Sequence, residues 1–217
     1  RSVADYLGGE ACIEALWRQV IALKRANIFT RLCGDETLQS EMDRLARALA
    51  DHAETEGRQF DDAMGRLNAA DADVMALRID RLRDIAWCLR AEILANIAKV
   101  RGLMNGVEAP PAVEAVAVFR NLNAVLNSID RMEVRGRDSA GVSLLFVLAA
   151  AAYERFAAAL SQAGLQGEWE RRCERQPLLN QGISVHRRDA AVAVGFTYKV
   201  AVEIGSLGDN IRCLRGH

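Results

Sequence analysis

The sequence predicts a mainly α-helical protein, in which an antiparallel helical bundle precedes a partial α+β segment. Its composition favours helix over sheet, because only 3 prolines and 6% aromatic residues occur among abundant Ala, Leu and Arg. Apolar residues recur at helical spacing up to residue 133, and short apolar runs of strand type appear only after it. We therefore predict a helical, insertion-like bundle over residues 1–133 and the α+β segment over 134–217.

The bundle is divided into helices by short polar breaks. Gly34 can adopt the left-handed conformation that ends a helix, and Asp35 can cap the helix that follows. Short connections between such helices predict antiparallel neighbours. The predicted helices are 10–32, one beginning after Asp35, a short one near 61–67, one over 72–104 and one beginning after Pro110–Pro111.

The segment after residue 133 mixes strand and helix patterns. A run of Val, Leu and Phe between turn signals predicts a strand over 142–148, and alternation predicts an edge strand over 181–188. Residues 190–200 fit a strand or a helix equally well. Helices are predicted over 149–163 and 167–174, and 204–214 keeps its apolar residues in helical register. These strands are too few for a complete sheet.

Charge and cysteine content narrow the classes of function. With 28 basic and 29 acidic residues, the net charge of -1 gives no overall field for nucleic acid or an anionic membrane. No apolar run reaches the roughly 18 residues of a membrane helix, and no signal peptide is visible. Five scattered cysteines predict reduced thiols in a cytoplasmic protein, each a small buried residue, with no metal site and no cofactor. The cysteines are Cys12, Cys33, Cys88, Cys173 and Cys213.

A few other side chains could suggest chemistry. Trp17 and Trp87 lie within apolar stripes, so we interpret both as core or helix–helix anchors. His52 lies on a polar helix face and is expected to be solvated. His186 precedes two arginines and could help to bind a phosphate, although an exposed basic strand end is the commoner structure.

One stretch, Arg135-Gly136-Arg137-Asp138-Ser139-Ala140-Gly141, has the character of a motif. Two glycines flanking an Asp–Ser pair favour a tight turn whose N–H groups can face outward. The guanidinium groups of Arg135 and Arg137 have a geometry that can bind a carboxylate. From the residues alone, this stretch is either an anion-binding turn or simply the turn that precedes a buried strand.

Residues 130–141, Asp-Arg-Met-Glu-Val-Arg-Gly-Arg-Asp-Ser-Ala-Gly, resemble the Leu-Glu-x-Arg-Gly-x-Asp-Ser-Ala-Gly signature of class II glutamine amidotransferases. Glu133, two residues before Arg135, makes the stretch most similar to glutamine–fructose-6-phosphate aminotransferase. The resemblance implies an N-terminal-nucleophile hydrolase fold, with two stacked sheets between helices. It also implies a glutaminase that releases ammonia from glutamine for transfer to fructose 6-phosphate, giving glucosamine 6-phosphate.

The resemblance also implies roles for the residues of the motif. Gly136 would orient an N-terminal cysteine nucleophile and Arg135 would brace it, whereas Arg137, Asp138, Ser139 and Gly141 would form the motif turn. This chain begins Arg-Ser-Val, not Cys-Gly-Ile, so we expect no catalytic residue in this segment. We interpret it as an excerpt of a longer enzyme with a helical insertion. The expected partners are glutamine, a sugar phosphate, and further domains of the same chain or identical subunits.

Two alternatives remain open. The chain could be a non-catalytic helical interaction or scaffold module, or part of another class II enzyme such as an amidophosphoribosyltransferase. In either case the apolar stripes of the helical region must be covered, by oligomer contacts or by packing over a glutaminase.

Overall fold

The computed structural model describes residues 3–105, 112–132, 139–201 and 208–216. These residues are mostly helical and include one three-stranded antiparallel sheet, so the predicted mainly α-helical class is confirmed. They form two compact units, Arg1–Asn123 and Ala124–His217, which we call the helical unit and the sheet unit. None of the described helices is both long enough and apolar enough to cross a lipid bilayer.

The helical unit is a succession of helices, and up to residue 103 the connections between them are short. A 3₁₀ turn, Val3–Gly8, precedes the first helix, and a second 3₁₀ turn, Met64–Arg66, follows the third. A π-helical stretch, Cys88–Leu94, joins the fourth and fifth helices without a break. The helices are α1 Gly9–Ala22, α2 Ala26–Gly34, α3 Glu36–Ala63, α4 Ala69–Trp87, α5 Ala95–Leu103 and α6 Val113–Met132.

The prediction of one helix over 10–32 is wrong, because the chain breaks between α1 and α2. Leu23, Lys24 and Arg25 donate their N–H groups three residues back, at 3.1 Å each, which tightens the end of α1. Arg25 is then extended, with ψ 142°. The break lets α2 turn Phe29 inward, where it is buried.

The helix that follows begins as predicted and continues further than predicted. Asp35 is its N-cap, and its Oδ1 accepts the N–H of Leu38 at 2.9 Å, as expected. Gly34 is the last residue of α2 and does not have a positive φ, so its predicted left-handed conformation is wrong. The prediction of a separate helix near 61–67 is also wrong, because α3 continues to Ala63.

One apolar cluster forms the core of the helical unit. Its central part is the continuous run from α4 through the π-helical stretch to α5, which occupies the predicted helix over 72–104. Five buried aliphatic residues of this run are spaced three to four residues apart, as expected for one face of a helix. They are Ile85, Leu89, Ile93, Ile97 and Val100.

The sheet unit is built on strands in the order β1-β3-β2, all antiparallel. The predicted strands over 142–148 and 181–188 are confirmed, and the ambiguous stretch 190–200 is the central strand. The unit also contains the last part of α6. Its other elements are β1 Ala140–Ala149, α7 Ala150–Gln162, α8 Gln166–Cys173, β2 Ile183–Arg188, β3 Ala191–Val200 and α9 Asp209–Gly216.

Helices α7 and α8 cover one face of this sheet with aromatic side chains. Phe156 lies edge-on to Trp169, with ring centroids 5.3 Å apart, and Trp169 lies edge-on to Phe196 at 6.2 Å. Such edge-to-face pairs stabilise by about 0.5–1.5 kcal/mol beyond their burial. Tyr153 and Val194 are buried in the same cluster. This aromatic cluster lies on one side of the sheet. The other helices of the unit bury further apolar side chains, namely Leu126, Ile211 and Leu214.

Candidate functional site

The motif lies at the start of β1. Arg135, Gly136, Arg137 and Asp138 fall outside the described residues, whereas Ser139 and Gly141 fall within them. Ser139 is exposed and directly precedes the strand, which begins at Ala140, two residues earlier than predicted. The described part of the motif therefore leads straight into the sheet.

Gly141 lies where the backbones of β1 and β3 leave little space. It pairs with Lys199 in the antiparallel register. A Cβ atom at Gly141 would come 3.2 Å from the carbonyl oxygen of Tyr198 and 3.2 Å from Cγ of Lys199. A larger residue would push against the neighbouring strand, so this motif position favours glycine for a packing reason.

A cavity of about 440 Å³ opens at this end of the sheet. The motif residues form one wall, and the end of β3 with the loop before β2 forms the other. Ser139 supplies a hydroxyl group, Asn180 an amide and Lys199 an exposed ammonium group. These groups can bind a small polar or anionic ligand. The lining residues are Ser139, Ala140, Gly141, Asn180, Lys199, Val200 and Ala201.

Backbone contacts hold Asn180 at the cavity. Its Oδ1 accepts the N–H of Lys199 at 2.9 Å, which ties the loop to β3. Gly182 accepts the N–H of Thr197 at 2.9 Å through its carbonyl oxygen. A Cβ atom at Gly182 would lie 2.7 Å from the carbonyl oxygen of Gln176 and 3.0 Å from that of Leu179, so the loop requires glycine there.

Arg172 on α8 supports the same loop from the other side. Its Nε donates to the carbonyl oxygen of Gln181 at 2.8 Å, and its guanidinium lies 5.5 Å from the ring centre of Tyr198. Gln181 has a φ of 61°, in the left-handed region that a side chain rarely adopts. The charge-assisted hydrogen bond from Arg172 helps to stabilise that strained residue.

Sequence reasoning did not find Asn180 or Lys199. Asn180 lies in a polar turn, which is common in any loop. Lys199 lies in the stretch that fitted strand or helix equally well. The β1–β3 register brings Lys199 next to the motif, and the hydrogen bond from the Lys199 N–H brings Asn180 there; no local pattern encodes either contact.

A second polar group lies in the helical unit, where the side chains of Lys24 and Glu92 are 34% and 33% exposed. Glu92 forms a salt bridge with Lys24, and its Oε2 accepts a hydrogen bond from the Cys88 thiol at 3.3 Å. Burial lowers the pKa of Lys24, but hydrogen bonds to Glu92 and Cys88 outweigh it and raise the pKa. Asn96 donates to the carbonyl oxygen of Glu92 at 2.7 Å and accepts from Asn123 at 2.7 Å. The network ties the connection between α1 and α2 to the π-helical stretch, α5 and α6.

The buried thiols are not suited to nucleophilic attack. Burial raises the pKa of Cys33 to about 11, although Arg101 and Arg120 oppose the shift, and burial also raises the pKa of Cys88. Both thiols are therefore protonated at neutral pH. The expectation of five buried cysteines is correct for these two and wrong for Cys12 and Cys213, which are exposed.

Two further expectations have opposite outcomes in the structure. Trp17 packs against the core, and the guanidinium of Arg81 lies 5.0 Å from its ring centre, as expected for an anchor. Trp87 is 57% exposed, so its assignment to the core is wrong. It lines an open groove together with Arg83 and Arg90, because it lies on the outer side of α4.

The described ranges hold no group of three His, Cys, Asp or Glu side chains that could bind a metal ion. In comparisons with known proteins, no family model, no curated protein and no solved structure matches this chain. Functional inference therefore depends on its own residues.

Proposed function

We propose that this chain is part of the glutaminase half of a glutamine-dependent aminotransferase. The enzyme would release ammonia from glutamine for transfer to fructose 6-phosphate, giving glucosamine 6-phosphate. One observation carries the proposal: the last three residues of the stretch that resembles the amidotransferase signature, Ser139, Ala140 and Gly141, lead into β1 and line one wall of a polar cavity.

The layering of the sheet unit also supports the proposal. Helices α7 and α8 cover one face of the sheet, while Leu145 and Val147 on the other face are each 68% exposed. An N-terminal-nucleophile hydrolase has two stacked sheets between helices. A sheet with one face under helices suits one layer of such a fold, although the opposite face carries Ser143, Ser184 and His186 beside Leu145 and Val147.

The proposed chemistry is hydrolysis of the side-chain amide of glutamine. An N-terminal cysteine thiol, which this segment does not supply, would attack the amide carbon and pass its proton through its own α-amino group to the leaving nitrogen. The C–N bond breaks, ammonia leaves, and water cleaves the thioester to give glutamate. Gly136 would orient the amino end of that cysteine, and Arg135 would brace the same region.

The test is glutamate release from glutamine by the full natural protein, with and without fructose 6-phosphate. We expect release that increases with the sugar phosphate. Substitution Arg135→Ala should reduce release by about 100-fold, because small misplacements of a reacting group have effects of that size. Arg131→Ala is the matched control, since Arg131 lies close in sequence on the exposed surface of α6 and should leave release unchanged.

Three results would argue against this function. Absence of glutamate release by the folded natural protein would favour the helical interaction module. Release stimulated by phosphoribosyl pyrophosphate in place of fructose 6-phosphate would indicate an amidophosphoribosyltransferase. Equal activity of the Arg135→Ala and Arg131→Ala variants would show that the motif resemblance has no catalytic meaning.

A further inference from the structure

An open groove of about 590 Å³ runs along the helical unit, between α3 and the run from α4 into the π-helical stretch. Its volume lies in the range of sites that bind small molecules. Residues 64–68 connect α3 to α4, and Gly57 near the end of α3 lies beside Arg83 of α4. The two walls therefore run antiparallel, so that residues earlier in α3 lie beside residues later in the second wall.

The middle of this groove exposes an aromatic ring. Trp87 is 57% exposed, whereas tryptophan is mostly buried in folded proteins. The residues that line the groove beside it include Ala50, Ala86 and Ala91, whose side chains end at Cβ and leave room next to the indole. A flat aromatic ring that enters the groove can stack on this indole.

The charges at one end of the groove compensate each other. Arg83 donates to Asp80 at 2.9 Å, and its Nη2 would lie 2.6 Å from a Cβ atom at Gly57, so glycine there gives the guanidinium its place against α3. Glu54 forms an ion pair with Arg58 at 2.9 Å. The two positive and two negative groups at this end therefore cancel.

Arg90, at the other end, has no such compensation. Its guanidinium makes no hydrogen bond or ion pair with any residue that the structure describes. It lines the groove three residues after Trp87, and the neighbouring lining residues Ala50 and Ala91 carry no charge. An arginine without an acidic neighbour can bind a carboxylate or phosphate through two N–H groups. Arg83 and Arg90 are separated by seven positions, so the two ends lie roughly 10 Å apart.

We propose that this groove binds an aromatic anion, in which a flat ring stacks on Trp87 and a phosphate or carboxylate group binds Arg90. The charges also determine the orientation, because an anion at the opposite end would meet Glu54. A mononucleotide has the required arrangement, since its base and its phosphate lie at opposite ends of the molecule. The site lies within the helical unit and does not depend on the proposed glutaminase chemistry.

Calorimetric titration of the full natural protein tests the site with two probes. Adenosine monophosphate carries a phosphate on its aromatic compound and indole-3-acetate carries a carboxylate, so their relative affinity identifies the preferred anion. At least one should bind with a Kd of about 1 mM or lower. The matched fragments, adenosine and inorganic phosphate, each lack one of the two contacts and should bind about tenfold more weakly than adenosine monophosphate.

Substitutions test the aromatic contact separately from the charge. Trp87→Leu keeps an apolar side chain but removes the ring, so it should weaken probe binding by about tenfold, whereas Trp87→Phe should retain most of the affinity. Arg90→Gln should weaken binding of the anionic probe by about tenfold and leave adenosine binding unchanged. Arg31→Gln is the matched control, because Arg31 is also exposed and lies in α2, away from the groove. It should bind the probes as the natural protein does.

Four results would overturn the proposal. If neither probe binds at millimolar concentration, the groove does not take an aromatic anion. Equal affinity for adenosine and adenosine monophosphate would mean that no anion is bound. Equal loss of affinity in Arg90→Gln and Arg31→Gln would indicate a general effect of net charge. Unchanged affinity in a Trp87→Leu variant that circular dichroism shows to be folded would place the ring elsewhere.

Discussion

The two units of this chain are stabilised in different ways. The helical unit buries one continuous aliphatic cluster along α4 and α5, and it also carries the partly exposed polar network of Lys24, Cys88 and Glu92. The sheet unit has a smaller core of aromatic side chains on one face, and its other face exposes Leu145 and Val147. This contrast shows that a unit can fold around a core on one face of a sheet and still leave large apolar side chains exposed on the other.

The largest expected change in the free energy of unfolding comes from a substitution in the aliphatic core of the helical unit. Ile93→Ala removes a side chain with no exposed surface at the centre of the helical unit, so it should lower the free energy of unfolding by about 2–5 kcal/mol. Leu77→Ala, at a leucine that is 70% exposed, should change it by less than about 0.5 kcal/mol. Urea unfolding followed by circular dichroism measures both. Similar values for the two variants would mean that this core does not determine stability.

The second expected effect is a pH dependence of the free energy of unfolding, which comes from a buried thiol of the helical unit. Because burial raises the pKa of Cys33 from 9.0 to about 11, folding favours the protonated thiol. The stabilisation that the protonated thiol provides is fully present below pH 9. It decreases as the pH rises, and at pH 11 the free energy of unfolding is lower by about 2 kcal/mol. Cys33→Ala should therefore lose less stability between pH 8 and pH 11 than the unsubstituted chain.

Cys12→Ala is the matched control for this experiment, because Cys12 lies in the same unit and is exposed. It should keep the pH dependence of the unsubstituted chain. Urea unfolding at pH 8 and pH 11 gives the comparison. If Cys33→Ala and Cys12→Ala lose the same amount of stability, the buried thiol does not cause the alkaline loss.

The third prediction tests the loop before β2 in the sheet unit. Gly182→Ala would force a Cβ atom to within 2.7 Å of a backbone carbonyl oxygen, so it should destabilise by about 1–3 kcal/mol. Gly167→Ala is the control, because nothing lies within 4 Å of that position in α8 and alanine is the better helix former. Fluorescence of Trp169, with Trp17 and Trp87 replaced by Phe, reports unfolding of the sheet unit. An equal response of both variants would show that the loop tolerates a side chain.

Sequence patterns predicted the elements whose structure is locally encoded. The cap at Asp35 and the strand over 142–148 need only neighbouring residues to be recognised. The break at Lys24 could not be predicted, because apolar periodicity continues through it. Tertiary contacts favour the break: Lys24 pairs with Glu92, and Arg120 donates to the carbonyl oxygen of Lys24 at 2.6 Å.

The candidate site was predictable only in part for the same reason. Ser139 and Gly141 belong to a recognisable stretch of sequence. Asn180 and Lys199 reach the cavity through strand register and a loop conformation that depends on Gly182. Trp87 was assigned to the core because periodicity identifies an apolar stripe but not which of its margins stays exposed.

The boundary between the two units falls inside α6, between Asn123 and Ala124. Cleaving the chain there to express the halves separately would cut through a continuous helix. Up to four carbonyl groups on one fragment and four amide groups on the other would lose their helical partners. Each fragment would also keep one buried end of α6, with Val116 on the first and Leu126 on the second. A dissection that preserves both folds must give each fragment its own copy of α6, which makes this helix the natural overlap for complementation between separately expressed pieces.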